Sequence, residues 1–236
     1  MTRACRLVGR MVLIMLFSQA ASAAKWQYEI TPYLWTAGMD GDIGRPGRTT
    51  SVDVSFSDYV EFIDAALAFV FEARSDKWSY GVDLMRVKLQ EDLDLPMTTI
   101  DAEVEQLLFE GWVGYRPDAW RDLRVIGGVR YTDVDSTFDF VGLPPNLKVS
   151  DDFADPFIGL EWRPRRGDWE FLLQGDIGGG VDADFAWGAA FGASYQFSER
   201  WSVKGAYRFL DIDFESDELV FDMFLEGLML GVGYKF

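Results

Sequence analysis

The last segment of the chain constrains the fold most. Leu228, Leu230, Val232, Tyr234 and Phe236 alternate with Gly227, Met229, Gly231, Gly233 and Lys235. A period of two places the bulky apolar set on one face of a strand and glycines with one lysine on the other. A strand of a soluble sandwich turns its bulk towards a packed core and polar groups to water. Here the second face is too small to line a solvated surface and too polar to be a core. The pattern suits a strand whose large residues meet lipid and whose small residues meet a crowded interior.

Other segments repeat the alternation. Trp78, Tyr80, Val82 and Leu84 oppose Ser79, Gly81, Asp83 and Met85. Phe185, Trp187, Ala189, Phe191, Ala193, Tyr195 and Phe197 oppose Ala186, Gly188, Ala190, Gly192, Ser194 and Gln196. The same test predicts strands over 26–36, 64–74, 77–90, 103–116, 122–137, 152–164, 168–179, 184–197, 200–213 and 222–236. Each is long enough for a tilted bilayer crossing. The connections Ser75 to Lys77, Pro117 to Arg121, Arg165 to Asp168 and Ser198 to Arg200 are short. Those over 37–63, 91–102, 138–151, 180–183 and 214–221 are longer. Beside the short turns lie Trp26, Tyr28, Trp78, Tyr80, Tyr115, Trp162, Trp169, Tyr195, Trp201 and Tyr234, as in an interfacial girdle. The expected fold is all-β: a transmembrane antiparallel up-and-down barrel of about ten strands, with eight or twelve also compatible. In the first long connection, Ser55 and Asp58 can cap a short helix over 56–62.

The N-terminus reads as an export leader. Arg3, Arg6 and Arg10 precede the apolar run Met11 to Phe17, and Ala21-Ser22-Ala23 is a small-residue cleavage site. The run is too short to span a bilayer. The expected division is a signal peptide at 1–23 and a barrel at 24–236. The single cysteine, Cys5, lies in the leader, so neither a disulfide nor thiol chemistry is expected of the exported chain.

The stretches Trp26 to Gly44, Ser51 to Asp64, Trp201 to Asp213 and the C-terminal strand resemble a family of small proteobacterial outer-membrane β-barrel proteins of the OmpA/OmpW-like kind. The resemblance covers most of the chain after the leader. It implies an integral outer-membrane location and carries no catalytic residues. The terminal strand, with Tyr234 and Phe236, resembles the signature that the barrel-assembly machinery reads in such proteins.

Alternation assigns a lumen charge network: Glu29, Glu72, Arg74, Asp83, Glu110, Arg124, Arg130, Glu161, Arg163, Asp176, Lys204 and Arg208. Asp155, Glu170, Arg116 and Lys235 fall in the same phase. Acids and bases are balanced, and a charge in a narrow lumen is costly unless paired. The expectation is a filled, salt-bridged interior serving a structural or surface-interaction role. The alternative is a narrow channel for small or cationic solutes, with Asp83, Glu110, Arg130 and Arg208 at its constriction.

The chain carries a net charge of -17, which disfavours nucleic acid as a partner. With the lumen balanced, the acidic excess belongs to the long connections, among them Asp40, Asp42, Asp53, Asp133, Asp135, Asp213 and Asp222. Outer-membrane lipids and lipopolysaccharide are the expected surroundings, with divalent cations able to relieve repulsion at the acidic connections. No resident metal or cofactor is expected. The chain has no histidine. That removes Ser-His-Asp and Cys-His catalysis, His-ligated zinc, and the base of phospholipase, lipid A deacylase and omptin-type designs. The chain is expected not to be an enzyme.

Overall fold

The computed structural model describes residues 26–60, 63–95, 98–140, 147–216 and 219–236. The expected leader at 1–23 lies outside them. The strands are β1 (Gln27–Arg45), β2 (Arg48–Val54), β3 (Ile63–Arg74), β4 (Trp78–Leu95), β5 (Thr98–Tyr115), β6 (Leu123–Phe140), β7 (Leu147–Trp162), β8 (Arg165–Arg166), β9 (Trp169–Gly178), β10 (Phe185–Gln196), β11 (Trp201–Glu215) and β12 (Val220–Lys235). One helical turn, α1 (Phe56–Tyr59), follows β2. All pairings are antiparallel. Strand β12 returns to β1 with Ile30 opposite Tyr234 and Leu34 opposite Leu230. Strand β9 links β7 to β10. Ten strands therefore close into a ring, leaving β2 and β8 as short additions. Closure removes the free edges that lipid cannot satisfy.

The alternation sorts as the sequence predicts. Leu34, Leu67, Val129, Ile158, Leu160, Leu173, Ile177, Phe191 and Leu230 project outward and are exposed. Such a band would be a hazard in water, and a bilayer solvates it. At the short-turn end, cross-strand pairs build the girdle. Trp78 packs on Tyr115 at 4.8 Å, Trp169 on Tyr195 at 4.9 Å and Trp201 on Tyr234 at 4.7 Å between ring centroids.

The long connections are the principal correction. Residues 37–45 do not leave the wall. They continue β1 and turn back as β2, with Met39 opposite Val54 and Asp40 opposite Asp53. Likewise β4 and β5 run on as a hairpin to Leu95 and Thr98, and β6 and β7 to Phe140 and Leu147. The expected helix over 56–62 is one turn, Phe56–Tyr59, and residues 61–62 lie outside the described part.

The cause is a change of polarity along each strand. On β11 the outward series Val203, Tyr207, Phe209 gives way to Asp211, Asp213 and Glu215; on β6, Val129 gives way to Asp133 and Asp135. Alternation persists, but acids replace the apolar outward set where the sheet leaves the lipid. A search for apolar alternation stops there, and the sheet does not.

Candidate functional site

The inward residues fall into three layers. Nearest the short turns, Glu72 takes 2.7 Å contacts from Arg74 and a 3.1 Å contact from Arg163. Arg163 reaches Glu161 at 2.7 Å, and Arg124 lies 3.9 Å from Glu161 while donating to the Ser75 carbonyl at 3.1 Å. Glu170 accepts from Arg74 at 3.3 Å and Arg165 at 2.5 Å. Glu29 pairs with Lys204, and Lys235 stands 3.9 Å away.

The middle layer is a single chain of contacts. Tyr33 donates its hydroxyl to Asp83 at 2.7 Å. Arg208 bridges Asp83 at 2.8 Å and Glu110 at 3.0 Å. Arg130 then bridges Glu110 at 2.6 Å and Asp176 at 2.9 Å. Asp83, Glu110 and Arg130 are direct register partners on β4, β5 and β6, so the sheet itself sets the row. The arginine planes also cover rings: Arg208 lies 5.0 Å above Trp35, and Arg130 lies 5.3 Å from Phe157. All five charged groups are buried, where paired charges polarise one another and an unpaired one is costly.

The small face of β10 makes room for this layer. A Cβ on Gly188 would stand 2.8 Å from Asp176 Oδ2 and 3.1 Å from Arg130 Nη2. Glycine there leaves the space that the Arg130–Asp176 pair occupies.

The third layer was not foreseen. Above Arg208 the lumen is filled by apolar side chains, including Met85, Leu108, Val134, Phe153, Ile212, Phe214, Phe221, Met223 and Leu225. Phe153 stacks on Phe214 at 4.1 Å and meets Phe221 at 6.2 Å. The sequence reading turned bulk outward throughout. That rule holds only where lipid lies outside. Beyond the bilayer the outside is water, and the strands revert to an ordinary apolar interior.

Every residue of the expected network projects into the lumen. Arg74, Glu72, Glu161, Arg163, Arg124, Glu29 and Lys204 form the first layer, and Asp83, Glu110, Arg130, Asp176 and Arg208 the second. One expectation fails. Arg116 does not enter the lumen; it donates to the Asp76 and Trp120 carbonyls and ties two short turns together. Asp155 faces inward as expected and is buried; it accepts the backbone N–H groups of Val181, Asp182 and Ala183 at 2.8 to 3.1 Å, which fixes the turn after β9. Tyr33 was overlooked, although it shares the phase of Glu29 and Thr31 on β1.

Two cavities open on these inward-facing residues. A vestibule of about 440 Å³ opens at the short-turn end among Glu29, Arg74, Lys204 and Lys235. A smaller cavity of about 170 Å³ continues to Asp83, Arg130 and Arg208. Both are roomy and polar enough for water. Among the described residues, no cluster of His, Cys, Asp and Glu is arranged to hold a metal ion.

Residues 11–236 match the outer membrane protein beta-barrel domain. No curated protein matches the chain in sequence. Among solved structures, the outer membrane protease OmpT from Escherichia coli is similar at 12% identity and a TM-score of 0.50, covering 93% of this chain and 99% of that one. The translocator domain of the autotransporter NalP from Neisseria meningitidis is 12% identical, with a TM-score of 0.41 and coverage of 99% and 96%. Ail of Yersinia pestis, solved with the heparin analogue sucrose octasulfate, is 12% identical, with a TM-score of 0.40 and coverage of 89% and 98%.

Proposed function

Since this chain belongs to the outer membrane protein beta-barrel domain family, we propose that it is a closed integral barrel with a structural or surface-interaction role. The observation that carries this reading is the double seal of one lumen. The Arg130 and Arg208 layer crosses it with three carboxylates, and the apolar layer around Phe153, Phe214 and Phe221 lies beyond. An ion entering from the short-turn end meets paired charges and then a layer of buried apolar side chains. Wide aqueous channels belong to barrels with many more strands.

The short turns and Phe236 face the periplasm in this reading, and the acid-bearing hairpins face outward. Lipopolysaccharide then surrounds the acidic rim, with divalent cations screening carboxylates from phosphates. Tyr234 and Phe236 are the residues we assign to recognition by the assembly machinery. Phe236 packs on Tyr28 at 6.0 Å and on Tyr234 at 6.3 Å. A non-catalytic role accords with a chain that has no histidine to act as base.

The two polar cavities favour one second reading, a narrow channel gated by the Arg130–Arg208 layer. Planar-bilayer recording separates the two. A closed barrel gives no sustained single-channel current. A stable current that changes selectivity on neutralising Asp83, Glu110, Arg130 and Arg208 would replace it with the channel.

A further inference from the structure

Beyond the lipid the strands end in sheet edges, and two of these edges are treated differently. On β7 the pairing with β9 begins at Phe157, so residues 147–153 meet no strand on that side. Side chains close that edge instead. Ala154 donates its N–H to Asp182 Oδ2 at 3.0 Å, and Asp152 donates its own to Asp151 Oδ1 at 3.0 Å. Ser216 then covers Asp151 with a 2.7 Å hydrogen bond. Capping of this kind blunts an edge against further pairing.

On β2 no such cap is present among the described residues. The strand pairs with β1 alone, from Arg48 opposite Arg45 to Val54 opposite Met39, and its other edge meets no strand. Its sequence holds Thr49, Thr50, Val52 and Val54, β-branched residues that favour a pleated sheet. It has neither a proline, a lysine nor a register shift to turn a neighbour away. Arg48, Thr49, Ser51 and Asp53 are exposed.

The sheet that ends in this edge has two unlike faces. Its outward row is acidic across four strands: Asp53 stands opposite Asp40, Asp42 opposite Asp222, and Asp222 opposite Asp213. Among the described residues no lysine or arginine pairs with these acids, and Asp42 accepts a 2.7 Å hydrogen bond from Ser51. Arg48 lies at the hairpin tip in the opposite phase. The outward bases of β4, Arg86 and Lys88, are held by Glu105 and Glu103 of β5. The inward row carries Met39 and Ile43, which pack against the apolar layer.

We propose that the free edge of β2 is a strand-addition site for an extended polypeptide in which lysine or arginine alternates with apolar residues. The uncapped edge is the site, and main-chain hydrogen bonds supply the attachment. The two faces choose the sequence. A strand laid beside β2 sends alternate side chains to opposite faces. Its outward set stands next to Asp53 and one strand from Asp40 and Asp42, which favours cations. Its inward set extends the row of Met39 and Ile43, which favours apolar groups. The β2 strand of a second copy would bring a further aspartate to the acidic face and is repelled. The inference deepens the surface-interaction role proposed above and rests on it.

The test uses the folded barrel in phosphatidylcholine vesicles loaded with a small dye, and reads the binding of labelled heptapeptides by fluorescence anisotropy. A peptide alternating lysine with valine is expected to bind about tenfold more tightly than the same residues in two blocks, or than glutamate alternating with valine. Equal binding of the blocked peptide would overturn the alternation. Methylating every valine nitrogen closes one edge of the peptide, and methylating every lysine nitrogen closes the other. One form is expected to bind as the parent does and the other to lose binding; equal behaviour of the two would overturn strand addition. p-Benzoylphenylalanine in place of Ser51 is expected to give peptide adducts. In place of Asp213, on the same face but three strands away, it is expected to give none. Equal adducts at both positions would mean adhesion to the acidic face and overturn the edge as the site. Adducts from position 51 to a second barrel would give the edge to another copy and also overturn it. Absence of binding while the dye stays inside would overturn this inference alone. Leakage before any peptide is added would overturn the closed barrel on which it rests.

Discussion

Arg208 on β11 and Asp83 on β4 meet at 2.8 Å across the lumen, although 125 residues separate them in the chain. Neither is near the other in the ladder. Only closure of the ring brings β11 opposite β4, so this contact measures the whole barrel. Arg208→Ala leaves Asp83 and part of Glu110 buried without their cation. The expected loss is about 3–5 kcal/mol, since one stranded charge costs more than a missing pair. Arg208→Met with Asp83→Asn removes both charges and is expected to lose much less. Urea unfolding of the barrel in lipid vesicles, followed by tryptophan fluorescence, checks the ordering of the two variants.

Gly188→Val tests the space that β10 leaves for the arginines. The added Cβ alone approaches Asp176 and Arg130 closely. Either the pair moves or the strand bends, at about 1–3 kcal/mol. Ala189→Val, whose side chain points outward on the same strand, is expected to change stability little. The midpoints of the two variants in the same unfolding assay should differ accordingly.

The double seal predicts how the barrel can be opened. Phe221→Ala thins the apolar layer but leaves Arg130 and Arg208 in place. Arg130→Ala with Arg208→Ala does the reverse. Each alone is expected to stay closed in planar bilayers. All three substitutions together are expected to give measurable current. Current from Phe221→Ala alone would show that the charged layer is no barrier.

The rim acids set the pH response. Asp213 lies directly opposite Asp222. Burial first, then the charges of Asp222, Asp184, Asp211 and Glu215, raise its pKa above the ordinary aspartate value. Burial and the neighbouring Asp135 raise Asp133 in the same way. A carboxyl raised in the folded state binds its proton before the unfolded chain does. The rim therefore gains stability as pH falls through the raised values towards the ordinary range, and loses it as pH rises again. Amide exchange of the β11–β12 hairpin is expected to slow on mild acidification, and Asp213→Asn to abolish most of that dependence.

Phe236→Ala separates assembly from stability. The ring touches Tyr28, Phe71 and Tyr234 at the end of the barrel and crosses no seal. If it serves chiefly as an assembly signal, its loss lowers the amount of inserted barrel in cells far more than it shifts the unfolding midpoint of refolded protein. An equal effect on both measurements would make it an ordinary packing residue.

The face of nearly every charged residue was legible, because period two is written directly in the chain. Glu110 and Arg130 needed only their phase to be placed inside. Their depth was not legible, since alternation looks the same at each level of the barrel. Phe153 and Phe221 show the consequence: bulky inward residues contradict a rule that applies only beside lipid. The hairpin of β1 and β2 was hidden similarly, as Asp40, Asp42 and Asp53 read as connection when they stand on continuing sheet. Tyr33 shared a visible phase with Glu29, but its role depended on Asp83, two strands away.

The reversal of polarity along the strands has a bearing on what a visitor from outside the cell would touch. Above the lipid, this chain is put together as a water-soluble β-protein is, with Phe214 and Phe221 inside and Asp213 and Asp222 outside. Among the described residues, the wall beyond the lipid is thus a relief of paired backbone ladders. Antibodies, phage or host proteins that recognise it would read shape assembled from several distant stretches, and short linear peptides copied from any one hairpin would be poor substitutes.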